Sequence, residues 1–163
     1  MSISILEQRR IEAAFAKGVF DEMAARLGEE TAREILGAAV IRMATAHGRA
    51  SAAEITAQGR PADMEAFADI LPRWQAGGAL EFDVVERGAE AVSFDVTRCK
   101  YAEMYREMGV EKIGDLLSCN RDATFIEGFN PDATMERTQT IMKGGRCCDF
   151  RYHLKTTDTE NAQ

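Results

Sequence analysis

The stretch Leu80-Glu-Phe-Asp-Val-Val-Glu-Arg-Gly-Ala-Glu-Ala-Val-Ser-Phe-Asp-Val-Thr97 decides the fold class, because the hydrophobic period of the chain changes there. Leu80, Phe82 and Val84 alternate with Glu81 and Asp83. Val92, Phe94 and Val96 alternate with Ser93, Asp95 and Thr97. A period of two marks a half-buried strand, and Arg87-Gly-Ala89 between the runs predicts a hairpin.

Upstream the period is helical. Ser4-Ile-Leu-Glu7 has the spacing of a capping box, followed by an apolar stripe of Leu6, Ile11, Phe15, Val19, Met23 and Leu27 up to Gly28. A second helix is expected from Glu29 to His47, with Ile35, Leu36, Ala39, Val40 and Met43 inward, Gly48 as its stop and His47 as a C-terminal cap. Ser51-Ala-Ala-Glu54 reads as another capping box opening a short helix, which Gly59-Arg-Pro61 breaks. A further helix follows from Pro61, with Met64, Phe67, Ile70, Leu71 and Trp74 on its apolar face, and Pro72 kinking or splitting it.

Downstream, helical spacing returns over Tyr101 to Met108 and over Glu111 to Leu117. Met135 to Met142 and Cys147 to Leu154 flank Lys143-Gly-Gly-Arg146 and predict a second hairpin. The expected fold is α+β: a helical N-terminal half packed on a small antiparallel sheet built from two C-terminal hairpins. Residues 1–155 are expected to form one domain, and the polar, aperiodic residues 156–163 a frayed tail.

Composition sets the outer limits. A chain of 163 residues is the length of one ordinary domain. A 45% hydrophobic content is enough for a packed core and excludes a mostly disordered chain. The net charge of −7 disfavours a nucleic-acid partner, which would call for a basic surplus. No apolar run approaches the roughly 20 residues of a membrane span, so no membrane partner is expected. The start turns charged at Glu7, Arg9 and Arg10 before an apolar signal core forms, so the expected location is the cytoplasm. In that reducing compartment the four cysteines, Cys99, Cys119, Cys147 and Cys148, are expected as free thiols. All of them lie toward the C-terminal end.

Two segments hold residues suited to chemistry. Cys119-Asn-Arg-Asp-Ala-Thr-Phe-Ile-Glu-Gly-Phe-Asn-Pro131 contains Gly128 and Pro131 and reads as a structured connection, not an uninterrupted helix. Within one turn of it, Arg121 would favour a thiolate at Cys119, and Asp122 could accept a proton. The alternative is a packed Cys119 with Arg121 and Asp122 paired at the surface.

The second segment is Arg146-Cys-Cys-Asp-Phe-Arg-Tyr-His153. As a strand it puts Cys148, Phe150, Tyr152 and Leu154 on one face, read as core, and Cys147, Asp149, Arg151 and His153 on the other. The second face is either a site or a solvent face carrying small ion pairs. On the facing strand Arg137 and Gln139 share one side, Thr138 and Thr140 the other, and inward hydroxyls would need partners. The cysteine spacing matches no common zinc pattern, so neither a metal nor any other cofactor is expected. Phosphate-binding glycine loops, H-E-x-x-H and G-x-S-x-G are not found in the sequence.

Several blocks occur in a fixed order: Thr97-Arg-Cys-Lys-Tyr-Ala-Glu-Met-Tyr105, Leu117-Ser-Cys-Asn-Arg-Asp122, Gly128-Phe-Asn-Pro131, Arg137-Thr-Gln-Thr-Ile-Met142 and Cys148-Asp-Phe-Arg-Tyr152. Together they resemble the L-2-amino-thiazoline-4-carboxylic acid hydrolase family. The resemblance implies a hydrolase that opens a small cyclic amidine-like or amide-like ring at a C–N or C–S bond, by attack of water or of a thiolate. For the name-giving substrate, water adds at the carbon between sulfur and nitrogen and the ring opens to a carbamoyl-cysteine. Chemistry of that kind makes Cys119 and Cys148 candidate nucleophiles and Asp122 and Asp149 candidate acid/base groups. Arg121, Arg137 and Arg151 are candidate clamps for a substrate carboxylate, with Asn120, Phe129, Thr138 and Thr140 as further substrate-binding candidates. The expected partner is a small, carboxylate-bearing substrate. The alternative is a non-catalytic small-molecule-binding or sensory domain. The Ala-rich helical half leaves a homo-oligomer open.

Overall fold

The change of period at Leu80 is where the sheet begins. In a computed structural model describing residues 3–155, β1 (Leu80–Arg87) pairs antiparallel with β2 (Ala91–Cys99). The expected tail, 156–163, lies outside the described residues. β3 (Ala133–Glu136) and β4 (Cys148–Leu154) form the second antiparallel pair, and β4 also pairs with β2. One four-stranded antiparallel sheet results, in the order β1-β2-β4-β3. The fold is α+β as expected.

The alternation puts Phe94 opposite Phe150 and Val92 opposite Tyr152, all on the buried face. The Phe94 and Phe150 rings stack at 4.9 Å. The helices cover that face, so the side chains of opposite parity on β2 and β4 form the outer face.

Among the described residues, seven α-helices accompany the sheet. Ser4 caps α1 (Ile5–Leu27) through its hydroxyl, which accepts from the Glu7 N–H at 3.1 Å. Gly28, at φ 87°, turns the chain into α2 (Glu29–Ala57). Two short helices follow, α3 (Met64–Ala68) and α4 (Leu71–Gln75); Pro72 falls in the first turn of α4, so the expected split occurs. After β2 come α5 (Lys100–Glu107), α6 (Glu111–Gly114), a π-helical turn (Asp115–Cys119) and α7 (Asn120–Phe129). No helix of the described residues is long and apolar enough to cross a membrane.

Four expectations are corrected. Gly48 does not stop α2, which runs on to Ala57, so Ser51 is a mid-helix residue and His47 caps nothing. The segment after Cys119 is helical through Gly128, and Pro131 lies beyond the helix end, where it is harmless. One contact explains both. A Cβ on Gly48 would overlap the Phe125 carbonyl oxygen and stand 2.8 Å from the Phe129 nitrogen, and one on Gly128 would stand 2.9 Å from the Thr45 carbonyl carbon. The two glycines let α2 and α7 touch backbone to backbone.

Third, the apolar stripes are right only in part: Leu6, Met23, Leu36 and Val40 pack inward, and the other large residues do not. Ile11, Phe15, Val19 and Leu27 are exposed, as are Ile35 and Met43. α2 instead buries the small series Ala32, Gly37, Val40, Ala44, Gly48 and Ser51, because a close helix crossing selects for size before hydrophobicity. Fourth, β3 ends at Glu136, so Arg137 to Thr140 belong to a long loop and share no strand face.

The core has two parts. One lies between the sheet and α3, α4 and α7; the other joins α1, α5, α6 and the π turn. Replacing Gly48 or Gly128 with Ala forces backbone against backbone, which no side-chain rotation relieves. Each variant is expected to lose about 3 kcal/mol or more, read as a lowered urea midpoint at unchanged slope, whereas Gly18→Ala in α1, with open space around it and an ordinary helical φ, is expected to lose nothing.

Candidate functional site

A cavity of about 240 Å³ opens at the seam between the two core clusters. That is below the roughly 300–1,000 Å³ of drug-sized sites and suits a single small ring. Trp74, Phe125 and Phe150 give it aromatic walls. Phe125 comes from α7, Phe150 from β4 and Trp74 from α4, so the sheet–helix packing itself sets its width.

The structure brings five of the expected site residues to this cavity: Cys119, Arg121, Asp122, Arg137 and Cys148. Cys99, noted in the sequence only as a thiol, joins them. Cys119 ends the π turn, and such turns often mark functional sites. Asp122 sits on the first turn of α7 and pairs with Arg137, Nη1 to Oδ2 at 2.5 Å. Arg137 also donates to the Cys119 carbonyl at 3.3 Å and lies 5.0 Å from the centre of the Phe150 ring. It thereby ties the loop after β3 to α7 across the cavity wall.

The surface pairing of Arg121 with Asp122, one of the open alternatives, does not form. Arg121 turns to Glu12 of α1 at 3.5 Å and donates from Nε to the Leu117 carbonyl at 2.7 Å.

The remaining candidates lie elsewhere. Asp149 is on the outer side of the sheet edge, where its carboxylate accepts the Thr138 hydroxyl at 2.5 Å and the backbone N–H groups of Thr138 and Gln139 at 3.0 Å each. Arg151 pairs across the outer face with Asp95 at 2.8 Å. Phe129 is packed in the core. Asn120, Thr138 and Thr140 border a separate, polar depression that shares only Cys119 and Arg137 with the aromatic cavity. The threonine hydroxyls have ordinary partners: Thr138 bonds Asp149, and Thr140 caps the turn at Lys143.

Burial dominates the electrostatics. It pushes the Asp122 carboxyl up from 3.8 to about 6, with Arg137 restraining the shift. It pushes Cys119 from 9.0 up to about 12, aided by the neighbouring Asp122 and only partly opposed by Arg137. Cys99 rises to about 11, and Cys148 rises as well even though its sulfur accepts the Ile141 N–H at 3.3 Å. The expected thiolate at Cys119 is therefore not favoured: desolvation outweighs the guanidinium. A carboxyl near 6 in a cavity can take and return a proton near neutrality; a thiol near 12 cannot offer a thiolate there.

Sequence reasoning missed Arg9 of α1 and His47 and Ser51 of α2, which also line the cavity. Desolvation, with the positive charges of Arg9 and Arg121, holds His47 below the usual imidazole value, and its ring stands edge-on to Phe125 at 5.4 Å. Ala44, His47 and Ser51 at helical spacing carried the only available signal. Among the described residues, no group of three or more His, Cys, Asp or Glu side chains is placed to hold a metal ion.

Comparison with known proteins places the chain. In overall fold it is similar to the crystal structure of the phenol-responsive sensory domain of the transcription activator PoxR with phenol. The TM-score is 0.54 at 13% identity, over 87% of this chain and 73% of that one. No curated protein matches the chain. The family model described as L-2-amino-thiazoline-4-carboxylic acid hydrolase matches residues 8–152, from the first helix through β4 and so across every element that lines the cavity. On that match the chain belongs to the L-2-amino-thiazoline-4-carboxylic acid hydrolase family.

Proposed function

We propose that the chain hydrolyses a small cyclic compound at a C–N or C–S bond, with Asp122 as the proton-transferring group for an attacking water. The observation that carries this reading is the Asp122–Arg137 pair in an aromatic-walled cavity, its carboxyl raised to about 6. The family's name supplies the substrate type, an aminothiazoline carboxylate or a related cyclic amidine or amide. Ionised Asp122 takes one proton from water as the water oxygen bonds the ring carbon between the heteroatoms; the C=N electron pair moves onto nitrogen, which receives that proton from Asp122. Asp122 then takes the remaining hydroxyl proton as the carbonyl forms, the bond from that carbon to the departing ring atom breaks, and Asp122 passes this second proton to the departing atom. Arg137 keeps the carboxyl aimed, and the aromatic walls hold the ring and exclude bulk water. Cys119 and Cys148 act as neutral packing and hydrogen-bonding groups, not as nucleophiles.

A second reading, a binding or sensory domain that does no chemistry, is favoured by the likeness in fold to a phenol-responsive sensory domain. Ring opening of aminothiazoline carboxylate, cyclic amidines, hydantoins and lactams, followed by mass spectrometry, separates the two. Turnover is expected for the wild type. Asp122→Asn should lower it by about a hundredfold or more, while Cys119→Ser should keep most of it. Folded protein that binds panel members and opens none of them decides for the sensory reading.

A base must be ionised to act, so kcat/KM is expected to fall as pH drops through about 6, the value to which burial raises Asp122. A profile flat through that region removes Asp122 from the role. The thiols give an independent check. In the native protein near neutral pH, Cys99, Cys119 and Cys148 are expected to react slowly with a disulfide reagent, and all four cysteines rapidly once the chain is unfolded. Rapid native labelling of Cys119 would restore the thiolate route.

A further inference from the structure

The cavity carries more positive than negative charge. Arg9, Arg121 and Arg137 line it, with side chains only 15%, 17% and 13% exposed. Two carboxylates answer them. Asp122 is committed to Arg137. Glu12 is shared: the same oxygen, Oε2, lies 2.5 Å from Arg9 Nη1 and 3.5 Å from Arg121 Nη2, and its other oxygen accepts from Gln8 at 2.9 Å. One guanidinium charge is left without a full partner in a partly desolvated place. The fourth cationic side chain at the cavity, Arg73, is 72% exposed and stands 4.0 Å from Glu54, so it belongs to the rim. Charge left in such a place is costly unless an opposite charge arrives with the ligand.

The surroundings agree. Arg121 is held below its ordinary value by burial and by the charge of Arg9, and His47 by burial and then by both arginines. All three therefore bear on one small volume. The other groups acting there are Glu12, Asp122 and Tyr105 on Arg121, and Glu54 and Arg73 on His47.

We infer that Arg9 and Arg121, bridged by Glu12, form an anion-recognising end of the cavity that selects ligands by charge count: one negative charge, and neither none nor two. The site joins α1 to α7, and the single surplus charge sets the preferred ligand charge. The inference deepens the proposed function and rests on that reading only in placing the ligand in this cavity. A ligand seated with its anionic group on this pair lies in the cavity that Trp74, Phe125 and Phe150 wall and that Asp122 also lines.

Binding of three single-ring probes, measured by calorimetry near neutral pH, tests it without any turnover: benzoate, its near-isostere benzamide, and the larger dianion phenyl phosphate. Wild-type protein is expected to bind benzoate about tenfold or more tighter than benzamide, the worth of one charge-assisted contact, and tighter than phenyl phosphate. Arg9→Met and Arg121→Met should each erase the preference over benzamide. Glu12→Gln, which raises the surplus to two, should shift preference toward phenyl phosphate. Equal affinity for benzoate and benzamide, no binding of either at millimolar concentration, or an unchanged order in Glu12→Gln would each overturn the inference. The wild-type comparison stands even if a variant fails to fold. Because no probe contains a ring that water can open, failure here is separate from failure of the hydrolase reading, which rests on ring opening.

Discussion

The close crossing of α2 and α7 at Gly48 and Gly128 is the constraint on which the rest depends. Once the two backbones touch, the orientation of α7 is set, and the residues spaced along it take fixed roles. Asp122 and Phe125 reach the cavity, while Ile126 and Phe129 pack into the main core. The same crossing turns Ala44, His47 and Ser51 of α2 toward the cavity. A helix pair held at ordinary distance by larger side chains would separate these two sets. The seam between the two core clusters would then be wider and no longer ring-sized. Glycine is weak in a helix by roughly 1 kcal/mol against alanine, so its presence at both faces of one contact marks packing as the stronger demand.

The Asp122–Arg137 pair is the second fixed point, and its energetics explain its place. Two unit charges 4 Å apart attract by about 4 kcal/mol at the effective dielectric near a protein surface. Desolvation costs several kcal/mol per ion. The cost for two ions at least matches the gain, so the pair adds nothing to net stability. What it secures is geometry: Arg137 belongs to the long loop after β3, and through Asp122 and the Cys119 carbonyl it holds that loop against α7. The loop is also held from the other side by Asp149, which binds two successive N–H groups and a hydroxyl. Asp149 and Arg137 thus support the cavity from opposite sides, although only Arg137 faces it.

The legible parts of the sequence were those governed by a local period. The alternation in β2 and β4 gives the correct buried face because half-buried strands have one rule, and Cys148, Phe150 and Tyr152 obey it. The Ser4 cap was legible for the same local reason. Residues 137–140 were not, because the Asp149 side chain takes the N–H groups of Thr138 and Gln139 and offers the backbone an alternative to the strand ladder. The buried faces of α1 and α2 were partly misjudged because large apolar residues were followed where close packing had chosen small ones. Of the site, the cluster around Cys119 and Asp122 could be found from local spacing. Arg9 and His47 could not: they reach the cavity from helices remote in sequence, and only tertiary packing gives them a common partner.

A single cause sorts the candidate groups into usable and unusable ones. Burial penalises charge on Asp122 and on the three cysteines that line the cavity, and raises all four. For a carboxyl that starts at 3.8, the rise to about 6 brings its proton exchange into the neutral range. For a thiol that starts at 9.0, the rise to about 12 removes it from that range. The environment that makes Asp122 able to move a proton is therefore the one that keeps Cys119 neutral, and the two candidate mechanisms do not compete on equal terms. A thiolate at Cys119 would need a strong proton acceptor beside it. The nearby carboxylate of Asp122 is far too weak a base for that task, whereas water polarised by an electrophilic ring carbon needs only the modest base that Asp122 is. The crowding of cysteines toward one end of the chain thus reflects the apolar lining of a cavity more than its chemistry, and the carboxylate–guanidinium pair between them holds the chemical potential of the site.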